Sequence, residues 1–149
     1  MLIETTRFGQ VEIDGSRVIT FKDGLLGFPE HRRYALLAPD EQEVFLWMQS
    51  LDDPSLAFLV CDPRAFVADY QVQVRADDLK TLEMRDPSDA RVLVIVNKVD
   101  GYLTANLLGP LVIGGHSLLA RQLVLSDRRW STRHRILRVD ALVAVSKSA

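Results

Sequence analysis

Three histidines, one cysteine and two adjacent pairs of aspartates are the residues with the chemistry to bind a metal or move a proton. His31, His116 and His134 stand far apart and form no HxH or HxxxH pair, and Cys61 has no Cys or His near it in sequence. Metal-ligand sets are built from such short spacings, so no metal site is expected. Asp52-Asp53 and Asp77-Asp78 are paired carboxylates. Acid–base catalysis needs two carboxylates in unlike environments inside a pocket. Neighbouring aspartates beside a proline, or at a helix start, are explained by turn formation and capping.

Two glycine-bearing stretches invite a phosphate or oxyanion reading. Asp23-Gly24-Leu25-Leu26-Gly27-Phe28 lacks the Gly-Lys-Ser/Thr step of a phosphate loop and the spacing of GxGxxG. Gly114-Gly115-His116-Ser117 is not set in a Gly-x-Ser-x-Gly elbow and reads as a loop ending a strand. No catalytic residue, cofactor or metal is expected, and the chain reads as a binding protein rather than an enzyme. The one interleaving of basic and aromatic residues is Arg128-Arg129-Trp130 with Arg133 and Arg135. It supports an alternative reading, a single-stranded RNA-binding barrel of OB type that stacks bases on Trp130. Trp47 lies in an apolar run and is expected in the core.

Charge bears on the same choice. The chain of 149 residues has a formal net charge of −2, which disfavours a surface built to hold phosphates, so direct nucleic-acid binding is not expected. The charge is polarised along the chain. Acids gather at Asp40, Glu41, Glu43, Asp52, Asp53, Asp77, Asp78, Glu83, Asp86 and Asp89; basic residues gather at Arg121, Arg128, Arg129, Arg133, Arg135 and Arg138. Such asymmetry steers charged partners. The start MLIETTRFGQ has no basic segment followed by an apolar run, and no stretch approaches the roughly 20 apolar residues of a membrane span. A cytoplasmic protein without a membrane partner is expected.

The elements that must position these residues are short strands. Val11–Ile13 and Arg17–Phe21 flank Asp14-Gly15, and Val92–Val96 and Tyr102–Ala105 flank Asp100-Gly101. Asp-Gly between such runs is a hairpin signal, because both residues tolerate positive φ. Val44–Met48 and Leu56–Val60 are apolar blocks separated by Asp53-Pro54-Ser55. Further strands are expected at Tyr34–Leu37, Tyr70–Val74, Leu111–Ile113 and Leu123–Leu125. The continuous apolar runs require burial on both faces or a strongly curved sheet. Asp77 to Met84 reads as a short helix, with Leu79 and Leu82 three apart, an aspartate capping its start and Pro87 stopping it. The expected fold is mainly β: one small β-barrel-like domain over residues 1–149, of short antiparallel strands with one or two short helices. The tail Ser146–Ala149 is expected to fray.

Several separated stretches, in order, resemble the flagellar assembly factor FliW family. Arg7 to Val11 resembles its opening strand and turn, and FKDGLLGF from Phe21 resembles its FxxGLxGF signature. Met48-Gln49-Ser50 resembles LQS, and Asp62-Pro63 with Phe66 and Tyr70 resembles DPxxFxxxY. NLLGPLVI from Asn106 resembles NLxAPIVIN, and QLVLSDRRWSTRH from Gln122 resembles QVxLxDxxYxTxH. The chain departs from these patterns at Leu26 (often Pro), Gly109 (usually Ala), Gly114 (usually Asn) and Trp130 (usually Tyr). The resemblance, which spans roughly Met1 to Ile136, implies a cytoplasmic, non-enzymatic, monomeric protein. It would bind the translational regulator CsrA, relieving repression of flagellin translation, and bind flagellin as a chaperone-like partner.

On that reading Leu25, Leu26 and Phe28 are either plugs in one end of the barrel or an apolar contact patch. Packing is favoured, and Leu25 is expected to be the most exposed of the three. Asp52, Asp53, Asp77 and Asp78 are candidate acidic contacts for the basic RNA-binding surface that the family's regulator presents. Trp130 is the remaining candidate contact. Flagellin would offer amphipathic helices to a hydrophobic groove.

Overall fold

A computed structural model describes residues 1–38 and 44–140. Asp40, Glu41 and Glu43, and the tail Ser146–Ala149, lie outside the described residues. The strands are β1 (Leu2–Thr5), β2 (Gly9–Glu12), β3 (Ile19–Phe21), β4 (Arg33–Leu37), β5 (Phe45–Ser50) and β6 (Ala57–Cys61), followed by β7 (Ala90–Val99), β8 (Tyr102–Ala105), β9 (Leu111–Gly114), β10 (Leu119–Gln122) and β11 (His134–Arg138). The helix α1 (Ala76–Thr81) lies between β6 and β7.

Seven strands close into a barrel, in the order β7-β6-β5-β4-β3-β10-β9 and back to β7. Closure depends on the length of β7. Its first part, Ala90–Leu93, pairs with β9; its last part, Val96–Val99, pairs with β8; Val94–Val96 pairs with β6. β8 and β11 therefore leave the ring as an appended pair. All barrel pairings are antiparallel except β3 with β10, which is parallel.

Alternation puts one face of each strand inside the barrel. Phe21, Tyr34, Met48, Val60, Leu93, Leu111 and Ile113 form this inner core. The other face of β6 and β7 is covered as well. Cys61, Val94 and Val96 pack there with Tyr70, Leu103 and Leu107, and Trp130 lies against them. Burial on both faces is why these strands read as continuous apolar runs. A third cluster joins Leu82 and Met84, just past α1, to Val112, with Val72, Val74 and Leu123 against it.

The structure corrects several expectations. Asp14-Gly15 is not a hairpin turn. Asp14 accepts the Ser16 amide (2.9 Å) and caps a 3-10 turn at Gly15–Arg17, so β2 pairs with the unanticipated β1, and β3 pairs with β4 and β10. Among the described residues, Tyr70–Val74 and Leu123–Leu125 join no ladder; the strand near the latter is β10, ending at Gln122. β11 was hidden by a register shift between Arg135 and Leu137, which breaks its alternation. α1 stops well before Pro87, because Glu83 turns left-handed (φ 52) and the Met84 amide donates to the Leu79 carbonyl (2.8 Å). Trp47 is half-buried, not a core residue, with Arg7 stacked 3.9 Å from its ring centre.

Burial of ionisable groups in this core predicts an alkaline limit. Burial, reinforced by Asp62, pushes the Cys61 thiol from 9.0 up to about 12. Burial pushes Tyr70 from 10.0 up to about 12, and burial with Asp52 does the same for Tyr34. All three are neutral at pH 8, and their raised folded values favour the neutral form. Their contribution is complete below the ordinary values and is lost as pH rises through the folded ones. The urea midpoint is expected to fall steadily between pH 9 and pH 12, and Cys61 to react with an aromatic disulfide reagent at pH 8 only after unfolding.

Candidate partner-binding surface

The loop between β3 and β4 is held by its own backbone. Gly24 takes φ +67 and Gly27 φ +86. The Gly24 amide donates to the Phe21 carbonyl (3.0 Å), and Leu25 and Phe28 exchange backbone bonds at 3.3 and 2.8 Å. This reversal drives Leu25 into the inner core, 3% exposed. Phe28 is half-buried, edge-on to Phe58 at 5.3 Å. Leu26 is thrown outward, 63% exposed. The expectation that Leu25 is the most exposed is therefore wrong: the tight turn alternates the two leucines, and the barrel interior takes the first.

Leu26 is nonetheless positioned. Its amide donates to Gln122 Oε1 (2.9 Å), while Gln122 Nε2 donates to the Gly109 carbonyl (3.0 Å). A methyl group at Gly109 would lie 2.8 Å from Gln122 Nε2 and Asn106 Nδ2, so glycine here leaves room for the Gln122 bridge. A side chain at Gly114 would press on Ser117 Oγ and the Leu82 carbonyl. A groove of about 340 Å³ runs from Leu26 along β10 to Arg121.

Beyond Arg121 lies a second groove, about 560 Å³, between Gln71–Arg75 and Leu123–Asp127. Arg121 joins the two. Its Nη1 pairs with Asp78 at 3.0 Å and more loosely with Asp77 at 3.9 Å. Asp78 is buried and also accepts the Arg75 amide (3.0 Å), capping α1. The Asp77 side chain is 76% exposed. Val124, at 73%, is the most exposed large apolar side chain among the described residues.

Asp52 and Asp53 are spent on folding. Asp52 accepts the amides of Arg32 (3.0 Å) and Arg33 (3.2 Å) and pairs with the Arg33 guanidinium (3.1 Å). Partial burial pushes its carboxyl up, but these donors outweigh that and hold it below the ordinary range. Asp53 accepts the Ser55 hydroxyl (2.7 Å) and amide (2.9 Å), which lower its pKa. Trp130 is half-buried, edge-on to Tyr70 at 5.3 Å, with Arg129 5.1 Å from its ring centre. Arg129 is itself tied to Asp127 (2.8 Å), and Arg135 stacks on Tyr102 at 4.3 Å. Trp130 is thus partly taken up by packing against Tyr70 and by the neighbouring Arg129. Of the eight candidate contacts, Leu26 and Asp77 present the most free surface, on the two grooves that Arg121 and Gln122 connect.

Sequence reasoning missed Gln122, Arg121 and Val124. Arg121 stood at the head of the basic cluster and Gln122 at the head of the QLVLSDRRWSTRH stretch without being read as contacts, and the apolar Val124 sits between Leu123 and Leu125 where alternation predicts a solvent-facing polar residue. Among the described residues, no group of three His, Cys, Asp or Glu is placed to hold a metal ion, and no helix is long and apolar enough to cross a membrane.

Comparison with known proteins gives a consistent result. The family model described as FliW protein matches residues 2–136. The chain is 44% identical over 140 residues to the flagellar assembly factor FliW of Syntrophus aciditrophicus, covering 93% of this chain and 89% of that protein. It is 43% identical over 139 residues to the flagellar assembly factor FliW of Treponema denticola, covering 92% and 94%. A crystal structure of the flagellar assembly factor FliW superposes with a TM-score of 0.82 at 29% identity, covering 92% of this chain and 97% of that one.

Proposed function

The chain belongs to the FliW family, and from that premise we propose that it is a regulatory binding protein of flagellum assembly. It acts in the cytoplasm, as a monomer, with two protein partners. It binds the translational regulator CsrA and so relieves repression of flagellin translation, and it binds flagellin as a chaperone-like partner. The observation that carries this reading is the match of nearly the whole chain to flagellar assembly factors. The surface supports it in kind. Leu26 and Asp77 offer an apolar and an acidic contact on connected grooves, which suits a basic protein partner. Leu25, Phe28 and Asp78 act here as the supports behind those contacts, and Asp52, Asp53 and Trp130 hold the flanking turns.

The test is a complex of this protein with its cognate CsrA, titrated with flagellin and followed by calorimetry. Saturable binding of both partners, with flagellin displacing CsrA, is the expected result. Failure to bind either one removes the proposal. Leu26→Asp is expected to weaken at least one complex by about tenfold, the scale of a contact at the edge of a hot spot. Because Leu26 is exposed, the same change is expected to move stability by less than about 0.5 kcal/mol. Calorimetry and thermal unfolding of the same preparation separate the two effects.

A further inference from the structure

Two segments that carry a strand pattern lie on either side of the groove and do not pair across it. In Gln71–Arg75, Val72 and Val74 are half-buried and the three others exposed; in Leu123–Asp127, Leu123, Leu125 and Asp127 are half-buried and Val124 and Ser126 exposed. This is the alternation of a strand packed on one face. Val72, Val74 and Leu123 fix that face against the cluster at Leu82, Met84 and Val112.

The backbone accounting differs on the two edges. The amides of Leu123 and Leu125 donate to the carbonyls of Pro110 (2.9 Å) and Leu108 (2.8 Å). Successive residues of an extended chain point their N–H and C=O groups to opposite edges. Val124 and Ser126 therefore direct theirs away from Leu108–Pro110, toward the groove. Among the described residues neither has a backbone hydrogen-bond partner there, and neither do Gln71, Val72, Gln73 or Val74. Backbone polar groups beside a packed face are ordinarily paired.

We propose that this groove is a strand-acceptor site, in which an extended segment of a protein partner pairs with the Val124–Ser126 edge and places a basic side chain against Asp77. Only an extended backbone offers donors and acceptors at the matching repeat; a helix has already spent its own. The exposed Val124 supplies the cross-strand apolar contact. Asp77, exposed and held only at 3.9 Å by Arg121, supplies the charge that selects a basic residue. Pairing of this kind confers affinity through the main chain and specificity through alternate side chains.

The inference deepens the binding role proposed above and rests on it for the choice of probes. Fluorescein-labelled twelve-residue peptides tiled across the cognate flagellin and CsrA, and across this chain, are titrated by anisotropy against the full-length protein. The wild type is compared with Val124→Pro, which removes the groove-facing N–H, and with Val124→Thr, which keeps it. At least one partner peptide is expected to bind, to lose at least tenfold with Val124→Pro and to change less than twofold with Val124→Thr. Hydrogen exchange of the wild type with that peptide is expected to slow at Val124 and Ser126, a reading that stands even if Val124→Pro does not fold. The proposal is overturned if no partner peptide binds, if only a peptide of this chain binds, if Val124→Pro binds as tightly as wild type, or if the slowed amides lie elsewhere. Full-length complexes that form normally with Val124→Pro would discard the strand-acceptor site and leave the binding function standing.

Discussion

Replacing Gly24 with alanine is expected to destabilise the protein by about 4 kcal/mol, near the upper limit for one methyl group. Two effects add. Gly24 sits at φ +67, a left-handed conformation that costs an L-residue roughly 1–2 kcal/mol. Its missing Cβ is also where the loop closes on itself: a methyl there would lie 2.6 Å from the Phe28 carbonyl oxygen and 2.6 Å from Pro29 Cα. Both are backbone atoms, so no rotamer change relieves the contact. The chain must open, and opening breaks the Leu25–Phe28 bonds and draws Leu25 from the core. The comparison that isolates the second effect is Gly27→Ala. Gly27 has φ +86 but nothing within 4 Å of its added Cβ, so only the conformational cost applies, about 1–2 kcal/mol. Urea unfolding of both variants checks the difference. Equal losses at the two glycines would show that the close approach at Gly24 costs nothing.

Gln49→Glu is expected to cost a similar amount, about 4 kcal/mol at pH 7, and to recover much of it in acid. Gln49 is fully buried. The two hydrogens of its Nε2 are shared among the carbonyls of Ser50 (3.0 Å), Leu56 (3.1 Å) and Pro54 (3.2 Å), stapling the turn between β5 and β6. That turn presents Asp52 to the amides of Arg32 and Arg33. A carboxylate in the same place faces carbonyl oxygens with no donor and no counter-charge, and an uncompensated buried charge costs roughly 3–5 kcal/mol. Burial and these oxygens would raise the folded pKa of the glutamate above its ordinary ~4.3. A group with a raised folded value is stabilising below its unfolded pKa and loses that contribution as pH rises through the folded one. The deficit relative to wild type should therefore be large at pH 7 and shrink toward pH 4. Urea midpoints of both proteins across that range give the result, and a deficit independent of pH would refute the account.

Legibility followed the range of the interactions involved. The Asp100-Gly101 hairpin was readable because everything that makes it lies within a few residues, and β7 and β8 pair across it as expected. Asp14-Gly15 carries the same dipeptide and fails. The Asp14 carboxylate takes the Ser16 amide, and a strand beginning at Leu2, with weak alternation of its own, captures β2. The helix was legible in its leucines and its acidic start, while its end was set by a backbone reversal at Glu83. The alternation read at Tyr70–Val74 and Leu123–Leu125 matches their burial but not a ladder, since alternation reports which face packs and says nothing of a ladder partner. The candidate surface was partly visible. Leu26 and Asp77 were singled out, but nothing near Gln122, which opens one of the family-like stretches, pointed to the Leu26 amide that it bonds from 96 residues away.

By itself, the order of residues determined that the protein is mainly β, that its apolar runs need cover on both faces, and that its loop glycines reverse the chain. These follow from the period of the backbone and the φ freedom of glycine. Tertiary structure alone decided that Leu25 is buried and Leu26 exposed, that Asp78 rather than Asp77 is consumed by Arg121, and that two strand-like segments face each other unpaired. Burial and pairing depend on which distant segment arrives alongside, and barrel closure through β7, not any local propensity, settles that.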